Sequence, residues 1–180
     1  MNKESDKVLD ELLVLRVQDG DKKSLAILVT RWHKKLVAYA YGKTQEMEAA
    51  RDIVQDGWQA IIKGMYALKD PAKFRVWAFR IVNNKAVNWI RERQKERELT
   101  NEMDPMELID EHSEEPDFGP IRRVVQQLPE SQRTILTLFY HNDYSVQEIA
   151  EVLGLSVGTV KSRLFYARQK VKEMYEGITY

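Results

Sequence analysis

Three groups of side chains in this 180-residue sequence have spacings that suggest chemistry, and in each the chemistry is recognition. In RDIVQDGWQAIIKGM, residues 51–65, Val54, Trp58, Ile61 and Met65 recur at helical spacing and form an apolar face. That leaves Asp52, Gln55, Asp56 and Gln59 on the opposite side. Such an acid–amide face is ordinarily a solvated one, but it also suits a partner rich in arginine, because carboxylates take charge-assisted hydrogen bonds from guanidinium groups. In residues 74–97, Trp77, Arg80, Asn84, Asn88, Arg91 and Lys95 are separated by steps of 3, 4, 4, 3 and 4, one continuous stripe along a helix. Asparagine amides match base edges, arginine and lysine hold phosphates, and an aromatic ring stacks on an unpaired base for about 1–3 kcal/mol.

The third group is SVQEIAEVLGLSVGTVKSRLFYARQKV, residues 145–171. Ser145 and Glu148 have the spacing of a capping box, Gly154 suits a left-handed turn, Leu155 plugs the corner and Ser156 caps the second helix. Ile149, Ala150 and Leu153 form the inner face of the first helix, and Val160, Leu164, Ala167 and Val171 that of the second. This is a helix-turn-helix. Its second helix turns Gly158, Ser162, Phe165 and Gln169 outward, flanked by Lys161 and Lys172. Lysine and serine reach base edges in the major groove, and an exposed phenylalanine meets thymine methyls. Arg163 and Arg168, nearer the buried side, suit phosphates.

Catalytic chemistry has no comparable foothold. Cysteine is absent, which removes disulfides, thiolate zinc sites and thiol nucleophiles together. His33, His112 and His141 show no metal-binding spacing. No catalytic group, metal or cofactor is expected. The sequence has no run of about 18 apolar residues, and MNKESDKVLDE at its start lacks an apolar signal core, so a cytoplasmic protein without membrane insertion is expected.

The elements that must carry these groups are all helical. Residues 8–17 and 24–41 give two helices, the latter stopped at Gly42; Thr44 suits the cap of a third reaching about residue 66, with Glu46 and Glu48 in its first turn. Asp70-Pro71 marks a turn into a fourth helix that continues past residue 97, with Ala78, Ile81, Val82, Ala86 and Trp89 as its inner arc. Shorter helices are expected near 121–127, 131–140, 146–153 and 157–175.

The formal net charge of zero conceals a division along the chain. Residues 1–97 carry 20 Lys/Arg against 13 Asp/Glu, residues 98–120 none against 9, and residues 121–180 carry 8 against 6. The acidic block, with Pro105, Pro116, Gly119 and Pro120, lacks the apolar content to pack by itself and reads as a linker. Extended, it reaches at most ~80 Å, enough to separate two modules by one or two turns of DNA at ~34 Å each.

With these residues in view the chain resembles the sigma-70 family of RNA polymerase sigma factors, in its smallest, extracytoplasmic-function group. DIVQDGW resembles the family's Asp-x-x-Gln-Glu motif, which docks on the clamp helices of the largest polymerase subunit. The resemblance implies Asp52, Gln55 and Asp56 as contacts, with Asp56 in place of the usual Glu and Gln59 on the same face. WAFRIVNNKAVNWIR resembles the segment that binds the downstream promoter element; Trp77, Ile81, Asn84, Asn88 and Arg91 fall on its positions, while Ala78 and Val82 depart from it. The loop LKDPAK, residues 68–73, would be the pocket for a flipped base, although it holds no aromatic. Residues 128–172, with TVKSRL and the following AR at 159–168, resemble the region that binds the upstream element. That last motif is shared in weaker form with response-regulator activators, so alone it also fits a stand-alone helix-turn-helix regulator.

The resemblance implies an all-α protein of two small helical domains: residues 1–97 for core polymerase and the downstream element, 98–120 as acidic flexible linker, and 121–180 for the upstream element. Core RNA polymerase and promoter DNA, duplex upstream and single-stranded downstream, are the implied partners. An anti-sigma protein is a further candidate.

Overall fold

The computed structural model describes residues 3–100 and 119–176, and every described element is helical. The helices are α1 (Lys3–Gln18), α2 (Lys22–Thr44), α3 (Met47–Met65), α4 (Phe74–Thr100), α5 (Gly119–Gln126), α6 (Glu130–Leu136), α7 (Val146–Leu153) and α8 (Val157–Glu176). A short 3-10 turn, Pro71–Lys73, leads into α4, and a π turn, Thr137–His141, comes directly after α6. Most of the expected acidic linker falls on residues 101–118, outside the described residues, as does His112.

The all-α expectation holds, with two local corrections at the α2–α3 junction. Gly42 does not stop α2. A glycine costs a helix only about 1 kcal/mol relative to alanine, and here the next turn has compensating bonds. Gln45, left-handed at φ 57°, closes the helix by donating its backbone N–H to the Tyr41 carbonyl and its side-chain Nε2 to the carbonyls of Tyr41 and Gly42. Nor does Thr44 cap α3. It is buried in the last turn of α2, where its hydroxyl donates to the Ala40 carbonyl, and the N-cap position of α3 falls on Glu46. The start of α2 is fixed by Asp21, whose carboxylate accepts from the Lys23 N–H and the Ser24 hydroxyl.

The first four helices pack around Leu28, Leu36, Val54, Ile61, Met65, Phe74 and Phe79, all buried. Fully burying a side chain of this size contributes about 1.5–3 kcal/mol, so this cluster holds the group together. Across the α1–α2 contact the buried Asp10 carboxylate accepts from Arg31 Nε at 2.9 Å, and Asp6 accepts from Arg31 Nη2 at 3.0 Å. Gln18 Nε2 reaches from the end of α1 to the carbonyls of Met65 and Leu68, both at 2.9 Å, and pins the chain leaving α3.

Helices α5 to α8 pack around Ile135, Leu138, Ile149, Val160 and Leu164. The two halves are not held apart in this structure. Their buried apolar residues join into one cluster, with α7 lying on α4 and α6 on α2. At this seam Phe79 and Tyr144 meet at 5.2 Å between ring centroids. The Arg75 guanidinium lies over the Tyr144 ring and donates to the Asn142 carbonyl at 2.9 Å. Lys43 Nζ donates to Glu130 at 2.6 Å, and Arg133 donates from Nε and Nη2 to the Gly42 carbonyl, both at 3.2 Å. The π turn delivers Asn142, Asp143 (φ 56°) and Tyr144 to this surface.

Candidate nucleic-acid interface

In α3 the apolar spacing that predicted a buried face is realised: Val54, Trp58, Ile61 and Met65 are buried, and Asp52, Gln55, Asp56 and Gln59 are exposed together on the other side. Among the described residues the ion pair on this face joins Asp56 to Lys85 Nζ of α4 at 3.8 Å, and with the carboxylate exposed and the lysine half-buried that pair is weak. The face is therefore free to meet a partner.

On α4 the inner arc is centred on Phe74, Ala78, Phe79, Val82 and Ala86, with Ile81 and Trp89 half-buried at its margins. Asn83, unmarked by the sequence reasoning, is buried and accepts from the Tyr39 hydroxyl at 2.9 Å. Arg80, Asn84, Asn88, Arg91 and Lys95 are exposed along one line, with the half-buried Trp77 at its head. The Trp77 ring leans on Phe74, with centroids 6.4 Å apart at 56°. Burial of the opposite arc fixes the amides and cations of this stripe on one side.

The loop before α4 is well tied. Asp70 accepts from the Ala72 N–H at 3.1 Å, capping the 3-10 turn, while Leu68 packs half-buried against the core. Lys69 and Lys73 are exposed. With Leu68 turned inward, the exposed aromatic next to the loop is Tyr66, the cap residue of α3.

The helix-turn-helix forms as the spacing predicted. Glu148 N–H donates to Ser145 Oγ at 3.2 Å and Ser145 N–H to Glu148 Oε2 at 2.7 Å, completing the capping box. Gly154 is left-handed at φ 65°, and Ser156 Oγ accepts from the Thr159 N–H at 3.1 Å. Ile149 and Ala150 are buried as expected, but the third buried position of α7 is Val152 while Leu153 is half-buried.

On α8 Gly158, Lys161, Ser162, Phe165 and Arg168 are exposed and Arg163 is half-buried. Arg168 lies over the rings of Phe139 and Tyr140, at 5.1 and 5.4 Å, which orients its guanidinium beside the exposed face of α8. Tyr166, overlooked in the sequence, is 61% exposed and stands edge-on to Phe165 at 5.5 Å. Its position on the outward side of α8 was legible from helical phase alone.

Among the described residues no group of three or more His, Asp or Glu could hold a metal, and no helix is long and apolar enough to cross a membrane. The seam residues were not foreseen either. Burial would raise the Glu130 pKa, but the hydrogen bond and charge of Lys43, the Thr134 hydroxyl and the Arg133 charge outweigh it and hold the carboxyl below its ordinary value. Burial lowers the pKa of Arg133.

Comparison with known proteins matches these two helical groups separately. Residues 28–96 match the model of sigma-70 region 2, and residues 118–171 that of sigma-70 region 4. The RNA polymerase sigma-H factor of Pseudomonas aeruginosa is 30% identical over 177 residues, covering 90% of this chain and 91% of that protein. The ECF RNA polymerase sigma-E factor of Escherichia coli is 29% identical over 182 residues, covering 93% of this chain and 94% of its own. Among solved structures, the sigma factor RpoE of Bartonella quintana, in complex with the anti-sigma factor NepR, aligns with a TM-score of 0.72 at 20% identity, over 86% of this chain and 98% of that one. CnrH in complex with the cytosolic domain of CnrY aligns with a TM-score of 0.67 at 26% identity, over 94% and 98%.

Proposed function

The chain belongs to the sigma-70 family of RNA polymerase sigma factors, and from that membership we propose how its parts divide the work of promoter recognition. Residues 1–97 form the polymerase-binding and melting domain, 98–120 an acidic tether and 121–180 the upstream-reading domain. Asp52, Gln55, Asp56 and Gln59 dock on core polymerase. Trp77, Arg80, Asn84, Asn88, Arg91 and Lys95 hold the single-stranded downstream element. Gly158, Lys161, Ser162, Arg163, Phe165 and Arg168 read the upstream duplex, and Tyr166 joins them.

Strand opening in this scheme needs no catalytic group. Extruding a base costs a few kcal/mol, and binding energy for the unstacked base shifts the duplex equilibrium toward the open form. The protein acts in the cytoplasm, where polymerase and chromosome are. An anti-sigma protein completes the proposed set of partners, since the Bartonella quintana relative of like fold was solved with one.

The observation that carries this reading is the pairing, on adjacent helices α3 and α4, of an exposed acid–amide face with an exposed basic–amide stripe headed by tryptophan. A helix-turn-helix regulator has no use for either. The test is gel filtration of the chain with core polymerase. The wild-type chain should co-elute, and Asp52→Lys with Asp56→Lys should abolish co-elution while helicity is retained. Undiminished binding of the charge-reversed chain would overturn the docking assignment.

A further inference from the structure

The head of the DNA stripe is built by two helices. Trp77 leaves α4 on its outward side, yet it is only half exposed, because its six-membered ring extends to α3. There the ring edge lies against Gly64. A Cβ at residue 64 would stand 2.8 Å from Trp77 Cζ2 and 3.2 Å from Cη2, well inside the separation of about 3.5–4.0 Å at which carbon atoms pack.

Backbone conformation does not call for glycine at this position. Gly64 lies inside α3, and the positive-φ glycines are Gly20 and Gly154. Since alanine is the better helix former, the missing methyl has another reason, and the indole edge supplies it. One heptad earlier, a Cβ on Gly57 would stand 3.0 Å from Val82 Cγ2, so α3 and α4 approach closely through both turns. Met65, fully buried beside Gly64, anchors that turn of α3 to the core. The indole is therefore seated between a fixed backbone and the Phe74 ring.

We propose that Gly64 is a positioning residue for promoter opening: the space it leaves seats the Trp77 indole as a preset stacking surface for an unpaired base of the downstream element. This rests on the assignment of Trp77 to DNA made above. A ring already held in place loses less freedom when a base stacks on it than one that must first be ordered.

Gly64→Ala places a methyl where the indole edge lies, and the cheapest relief is for Trp77 to swing out of its seat. Strand opening by holoenzyme, followed by permanganate reactivity on a promoter selected by the wild-type protein, should slow about fivefold or more, the lower end of what base stacking supplies. Affinity for core polymerase and for upstream duplex should be unchanged, and Tm should shift by no more than a few degrees, because the better helix propensity of alanine offsets part of the indole packing that is lost. Trp77→Phe removes the atoms that collide, so in that background Gly64→Ala should change the opening rate less than twofold.

Trp77→Ala tests the underlying assignment. Opening at the wild-type rate in that variant would remove Trp77 from DNA and the role of Gly64 with it. If Trp77→Ala is impaired but Gly64→Ala opens normally, or costs the same with Trp77 intact as in the Trp77→Phe background, or lowers Tm by more than a few degrees in both, the positioning role is wrong and the DNA assignment stands.

Discussion

Glu130→Gln tests the seam between the two halves. The Lys43 side chain is 7% exposed, and its ammonium sits 2.6 Å from a Glu130 carboxylate that is 40% exposed. Removing one partner of a fully buried ion pair costs about 3–5 kcal/mol, because the other charge is left without compensation. Here the carboxylate is partly in water and the glutamine amide still accepts a hydrogen bond, so the expected cost is about 1–2 kcal/mol. That corresponds to an approximately 5- to 30-fold shift toward the separated arrangement. Lys43→Met combined with Glu130→Gln should recover most of the loss, since removing both charges leaves neither stranded.

The absence of cysteine makes the assay direct. Donor and acceptor dyes on Asp19→Cys and Lys170→Cys, both exposed positions, report the distance between the halves by energy transfer. Acidification is a second arm. The Glu130 carboxyl is held below its ordinary 4.5, so its contribution to closure is complete above that value and is lost as pH falls through the lowered one. An unchanged energy-transfer distribution in Glu130→Gln, at neutral pH and in the acid titration alike, would refute the electrostatic account of the seam.

The same geometry yields three further expected outcomes. Ser145→Ala removes the acceptor of the Glu148 N–H and should cost about 1 kcal/mol, lowering the melting temperature of the C-terminal half by several degrees in a thermal scan. Lys161→Ala with Ser162→Ala should alter the upstream sequences chosen in a binding-site selection while affinity for core polymerase stays put; an unaltered selection removes these residues from base reading. Tyr39→Phe leaves the buried Asn83 carbonyl oxygen without its donor and should destabilise the N-terminal half by about 1–3 kcal/mol in urea titration, with the helix content of the native state unchanged.

Local signals in the sequence were accurate where a single element determines its own geometry. The capping box at Ser145 and Glu148, the left-handed Gly154 and the two faces of α3 depend on residues a few positions apart, and each formed as its spacing predicted. The end of α2 and the start of α3 escape local reasoning because the Gly42 carbonyl is held by Gln45 and by Arg133 from the other half of the chain, while the Thr44 hydroxyl turns back to Ala40. The seam was invisible for a related reason. Lys43, Arg75, Glu130 and Tyr144 carry no shared period, and the acidic composition between the halves carries no signal of how they meet. Gly64 was unreadable because its meaning lies in a ring 13 positions away. The basic–amide stripe of α4 follows from helical phase, and Tyr166 satisfies the same criterion beside Phe165.

As a sigma-70 family member, this chain directs core polymerase to promoters and opens them. Run-off transcription on a promoter library, with purified core polymerase in the presence and absence of the chain, tests this role most directly. Transcripts should appear only with the chain present, start downstream of shared upstream and downstream elements, and vanish with Asp52→Lys and Asp56→Lys. Transcription indifferent to the added chain, or a chain that binds duplex DNA yet never engages core polymerase, would contradict it.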